Sequence, residues 1–213
     1  MVYELRIYNI KPGFTKKVID TSGTIARRIR GEGDQYGKLE GHWLSTFGSL
    51  HRYVHMWSYP DAQEMRRLRT ELTSKPAWKN DFVPKIVPYI LSQKIRLLRP
   101  LSSIEKPNGN NNFYELRFTK LKVGKWKSWT DFLIKNISSS YKTTIRIGIW
   151  VSEFSDPNEV IQLYSYSDLS VTDYSNGVYE NLDEYKDLIE FQKDIVLEEK
   201  NILLRPSPFS PRQ

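Results

Sequence analysis

Tyr3-Glu4-Leu5-Arg6 returns as Tyr114-Glu115-Leu116-Arg117, 111 residues later, and that recurrence decides the fold. Lys11-Pro12-Gly13 returns at the same offset as Lys122-Val123-Gly124. Gly41-His42-Trp43-Leu44-Ser45-Thr46-Phe47 aligns with Gly148-Ile149-Trp150-Val151-Ser152-Glu153-Phe154 at an offset of 107, and Val54–Asp61 with Ile161–Asp168 likewise. Leu97-Leu98-Arg99-Pro100 recurs as Leu203-Leu204-Arg205-Pro206 at 106. Ordered anchors at a nearly constant spacing are the mark of a tandem duplication. The offset shrinks where the first copy has extra loop, around Gly31-Glu32-Gly33-Asp34.

Within the first copy, residues 2–9 alternate as a strand, and Phe14, Val18, Ile25 and Ile29 follow a helical period over 14–30. Residues 39–47 and 51–59 read as a hairpin about Gly48-Ser49-Leu50. Residues 61–73 form a helix, Pro76 starts a second helical segment, Pro88 stops it, and 89–98 return as a strand. The order is β-α-β-β-α-β, the ferredoxin-like unit, in an α+β class. Its sheet has helices on one face only, so a tandem copy is expected to cover the other. The chain should therefore comprise residues 1–101, a linker over 102–112, a degenerate copy over 113–206 and a tail over 207–213.

Composition narrows the function classes. The chain has 213 residues and no cysteine, which excludes disulfides, thiolate metal sites and a Cys nucleophile. No apolar run approaches the length of a membrane-spanning helix. Alternation from Val2 onward gives the expectation that no signal or transit peptide precedes the fold, and a cytoplasmic location follows from it. Net charge is +8 over residues 1–105 and −1 over 106–213, so the two halves should do different work. The basic clusters Lys16-Lys17, Arg27-Arg28-Arg30 and Arg66-Arg67-Arg69 lie on helices and read first as solvated faces, with no specific nucleic-acid site.

Strand alternation divides each strand into two lists. Tyr3, Leu5, Ile7, Val54 and Met56 are expected to face the helices. That assignment leaves Glu4, Arg6, Tyr8, His51, Tyr53, His55, Trp57 and Tyr59 for the space between the two sheets. The second copy adds Glu115, Arg117, Gln162, Tyr164 and Tyr166. Two readings stand side by side: Glu4–Arg6 and Glu115–Arg117 as ion pairs bracing the sheets, or a polar, aromatic-lined pocket for a small anionic or aromatic ligand. Arg66 and Arg69, three apart on one helix, are expected to reach the edge of that pocket. His55 is chemically apt as a general base, and no neighbouring residue has metal-ligand spacing to it.

Tyr3-Glu4-Leu5-Arg6-Ile7-Tyr8, Gly41-His42-Trp43, Gly48 through Tyr59, and Arg66, Arg69 and Pro76-Ala77-Trp78 together resemble the NIPSNAP proteins. The resemblance implies a dimeric α+β barrel, here formed within one chain as a pseudo-dimer. It implies no settled activity and no cofactor: a non-enzymatic ligand-binding or protein-interaction module, with a cofactor-free monooxygenase or isomerase as the alternative and haem binding through His55 as a minor one. Animal members look mitochondrial, a bacterial cytoplasmic member being the simpler reading of this chain. Protein partners and a homodimer are both compatible with the resemblance. The second copy departs from the pattern, with Gln162 at the place of His55, Tyr164 at that of Trp57, and an acidic helix expected from Tyr179-Glu180 through Glu198-Glu199.

Overall fold

Alternating β-branched and aromatic residues build strands, and apolar stripes at helical spacing build the helices laid on them. In the computed structural model these segments form β1 (Val2–Ile10), a helix α1 over 15–30, β2 (Lys38–Phe47), β3 (Arg52–Tyr59), α2 (Ala62–Ser74), α3 over 78–86 and β4 (Ile90–Pro100). There follow β5 (Phe113–Leu121), α4 (Trp126–Asn136), the two-residue β6 (Ser140–Tyr141), β7 (Thr144–Phe154), β8 (Glu159–Tyr166), α5 (Asp183–Gln192) and β9 (Val196–Pro206). The structure describes residues 1–31, 33–107, 112–137, 140–141, 144–154, 156–167 and 183–212. Part of the expected linker and the expected acidic stretch 179–182 lie outside them.

The chain divides into two units, residues 1–98 with 205–213, and residues 99–204. In the first, the strand order is β4-β1-β3-β2 with antiparallel neighbours; in the second it is β9-β5-β8-β7-β6. Both follow the mixed α/β plan that the repeat implies. Among the described residues no helix is long and apolar enough to cross a membrane.

Local chemistry sets the element ends. Asp61 caps α2, its carboxylate accepting from the Glu64 N–H at 2.8 Å. Helix α1 changes pitch over Ser22–Ala26, where it makes a π-type turn. Gly23 sits in that turn, and a Cβ there would lie 2.0 Å from the Phe209 ring. The glycine therefore lets the C-terminal segment lie against the helix.

Four expectations are corrected here. Residues 207–212 are not a detached tail: the buried Ser207 donates its N–H to the His42 carbonyl at 2.9 Å, and Arg212 reaches Glu40 at 3.0 Å. His51 is not a strand residue but takes φ +59° in the turn ahead of β3. The acidic stretch does not continue as helix to 199, since β9 begins at Val196, where Val196 and Ile195 pack on the core of α4.

The fourth correction concerns faces. Tyr8 and Tyr53 pack with Val18, Ile19, Ala26, Phe82 and Ile86 of α1 and α3, while Trp57 and Tyr59 pack with Leu68 and Leu72 of α2. The polar and aromatic list thus faces the unit's own helices. The aliphatic list, Leu5, Ile7, Val54 and Met56, occupies the opposite face and is also buried. With both faces buried, apolar content alone does not say which one the helices cover.

Candidate functional site

Register brings the site residues of the first unit together. Arg6 is the Cα partner of His55, Tyr8 of Tyr53, and Glu4 of Trp57, while His42 on β2 pairs His55 from the other side. On this floor and beneath the helices lies a cavity of about 960 Å³. Its lining includes Arg6, Tyr8, His42, Tyr53, His55 and Trp57 from the sheet, Arg30 from α1, Arg69 from α2, and Phe209 from the C-terminal segment. The cavity is made by one unit.

Charge in this site is unbalanced. Glu4 Oε1 takes the Arg6 Nε at 2.8 Å and Nη2 at 2.5 Å, and Arg69 Nη2 approaches it at 3.4 Å. Both arginine side chains are only 17% exposed. Arg30 lies 3.8 Å over the Trp57 ring and donates to the Tyr36 carbonyl at 3.1 Å, and no carboxylate among the described residues pairs with it. Two guanidinium groups therefore share one carboxylate, and a third beside them has none among the described residues. Burial, then the charge of Arg69, lowers the Arg30 pKa to about 10, which leaves it protonated at neutral pH.

The aromatic wall is continuous. Tyr8 stacks on Tyr53 with ring centres 5.5 Å apart, His55 lies 5.0 Å from Tyr53, and His42 lies 4.6 Å from it. His55 is 7% exposed, and its Nδ1 accepts the Trp57 indole N–H at 2.6 Å. Burial first, then Arg6, His42, Arg69 and Arg30, holds its pKa well below the ordinary histidine value. Burial likewise lowers His42 to about 4, while its Nδ1 lies 2.6 Å from the Ser207 hydroxyl. Burial pushes the Tyr53 hydroxyl up, so it stays protonated. Among the described residues, no group of three or more His, Cys, Asp or Glu is placed to hold a metal.

Of the residues expected at the site, Glu4, Arg6, Tyr8, Tyr53, His55, Trp57, Tyr59 and Arg69 gather at or beside this cavity. Arg66 does not join Arg69: it is exposed on α2. Arg117 and Tyr164 belong to the second unit. There Glu115 takes Arg117 at 3.0 Å, the Tyr166 hydroxyl at 2.5 Å and the Asn201 amide at 3.0 Å, while the Arg117 guanidinium lies 5.2 Å from the Tyr164 ring. Each Glu–Arg pair thus lies along one strand within its own unit. Arg30, His42 and Phe209 were not expected at the site. Val18, Ser22, Ala26 and Arg30, spaced by four on one helix and all lining the cavity, are the signal that places Arg30.

The NIPSNAP family pattern matches residues 3–104 and again 114–211. Mouse NipSnap homolog 2 is 24% identical over 221 residues, covering 100% of this chain and 76% of that protein. An anthrone oxidase-like protein of known structure superposes with a TM-score of 0.71 at 10% identity, over 97% of this chain and 91% of its own. A candidate monooxygenase from Lactobacillus acidophilus gives 0.67 at 14%, over 97% and 94%. These two structures share the fold. Both halves carrying the family pattern, the chain belongs to the NIPSNAP family.

Proposed function

We propose that the first unit binds a small organic anion with a flat, apolar body in the cavity beneath its helices, and that its role is binding rather than acid–base catalysis. The observation that carries this is two guanidinium groups sharing one carboxylate, with a third, Arg30, stacked on the aromatic wall and paired with no carboxylate among the described residues. Unpaired charge is costly to bury, and a bound anion relieves that cost. The volume lies at the upper end of the range usual for small-molecule sites.

His55 suits donation better than abstraction. An indole N–H can only donate, so Nδ1 must offer its lone pair and the neutral ring keeps its proton on Nε2. A ring so arranged, with lowered basicity, is a poor general base, and its Nε2 has no lone pair for a haem iron. The monooxygenase-type alternative, which two structural neighbours bring to mind by name, therefore gains no support from His55. The ferredoxin-like reading of each unit, and of the tandem repeat as an intramolecular pseudo-dimer, belongs to the same proposal. Strand order within each unit and the duplicated sequence support it.

The test is titration with 4-ethylbenzoate and with its neutral amide, followed by tryptophan fluorescence, since Trp57 and Trp78 face the cavity. The acid should bind at least about tenfold tighter, and Arg69→Met should remove most of that preference. Equal affinity for acid and amide would overturn the reading.

A further inference from the structure

Among the described residues, the Ser22 hydroxyl and His42 Nε2, both on the cavity lining, have no hydrogen-bond partner, and His55 Nε2 has none either. His55 is 93% removed from solvent on the 7% exposure above, its Nδ1 is engaged by Trp57, and no described residue accepts the Nε2 proton. The His55 ring is also held in place. Arg30 stacks on Trp57, and the indole of Trp57 orients the imidazole by its N–H bond. Arg6, the cross-strand neighbour, is already used, with Nε and Nη2 on Glu4 and Nη1 on the Tyr8 hydroxyl at 3.3 Å. Arg27 and Arg28 also line the cavity but are exposed; of the partly buried arginines, Arg30 and Arg69 keep N–H groups available beside a fixed neutral donor.

Resting on the anion-site reading above, we infer that the ligand is a planar organic acid carrying a second, neutral oxygen acceptor. Its acid group lies against Arg30 and Arg69, and a carbonyl oxygen takes the His55 Nε2–H. A neutral imidazole offers one directional bond and no charge, which suits a carbonyl better than a second carboxylate. A ligand that displaces water from this donor without supplying an acceptor leaves it unsatisfied, so a ligand lacking that oxygen forfeits more than one bond. His55 is then a specificity-determining residue that selects among anions the arginines would all attract.

The experiment compares the three isomers of acetylbenzoate with the matching ethylbenzoates, so that the spacing of the two groups is read out instead of assumed. At least one acetyl isomer should bind about tenfold tighter than its ethyl counterpart. His55→Gln should keep a clear share of that advantage, because the carboxamide retains an N–H donor. His55→Leu should abolish the advantage, each ligand pair being compared within the variant, and its circular dichroism and urea midpoint report that it is folded. Absence of an acetyl advantage in all three isomers, or an advantage that survives His55→Leu, would overturn the inference while leaving the anion site standing. Failure of every benzoate to bind would overturn the anion site and this inference with it.

Discussion

Glu4 in the first unit shares two arginines, Arg6 at 2.5 Å and Arg69 at 3.4 Å, and a third, Arg30, lies nearby over Trp57. Glu115 at the matching place in the second unit is met by Arg117, by the Tyr166 hydroxyl and by the Asn201 amide. The first arrangement has positive charge to spare and a cavity beside it. In the second, among the described residues, the carboxylate is matched by one cation and neutral donors. Tyr53 and His42 of the first unit, which line the cavity, are matched by Val160 and Ile149, which are core. At these matched positions the duplicated sequence is polar and lines a cavity in one copy, and is apolar core in the other.

The largest effect that would sharpen this contrast comes from deleting one arginine in each unit. Arg117→Ala removes the cation paired with a buried carboxylate and should cost about 3–5 kcal/mol. Arg6→Ala leaves Glu4 with Arg69 and should cost distinctly less, about 1–2 kcal/mol. Urea denaturation of the two variants measures both. Equal losses would mean that the extra positive charge of the first unit does nothing for Glu4.

Acid should separate the units next. All three histidines lie in the first half, and two of them are buried and neutral. His42 has a folded-state pKa of about 4, below the ordinary value near 6.5. Between those values the unfolded chain binds more protons than the folded one. Stability is therefore complete above about pH 6.5 and falls as pH drops toward 4, by an amount on the order of 3 kcal/mol for His42. His55, facing Arg6, Arg30 and Arg69, is shifted the same way and adds to the loss. Denaturation midpoints at pH 7 and about 5.5 would show it, above the range near 4.5 where the lowered carboxylates Glu40 and Glu115 begin to add their own loss. His42→Ile, which installs the residue found at Ile149, should reduce the slope; an unchanged slope would place the acid sensitivity elsewhere.

Much of this was legible from the residues. The repeat, the strands and the hairpin follow from alternation and spacing, which are local. The face of the sheet was not, because alternation yields two lists and both are buried: Leu5 and Val54 on one side, Tyr53 and Tyr59 on the other. The usual inference that the more apolar list meets the helices fails where helices cover aromatic and arginine side chains. Arg30 was read as solvated because its helix also carries the exposed Arg27 and Arg28. The C-terminal segment looked detached because Pro208 and Pro211 read as extended chain. Its bonds to His42 span 165 residues or more, a distance at which sequence pattern is silent.

The smallest effect is the most pointed, because it exchanges what the two copies already carry at one place. Trp57 donates its indole N–H to His55 two residues before it, and Tyr164 donates its hydroxyl to Gln162 two residues before it, at 2.5 Å. The spacing along the strand is the same, while both donor and acceptor differ, indole to imidazole in one copy and hydroxyl to carboxamide in the other. His55→Gln should therefore keep an acceptor for Trp57 and cost about 1 kcal/mol or less. His55→Leu deprives that N–H of its partner and should cost about 1–3 kcal/mol. If the glutamine variant were as destabilised as the leucine one, the histidine would be a packing element. If it is the milder of the two, the fold tolerates either side chain, and the choice of histidine in the first copy reflects what its Nε2–H meets in the cavity.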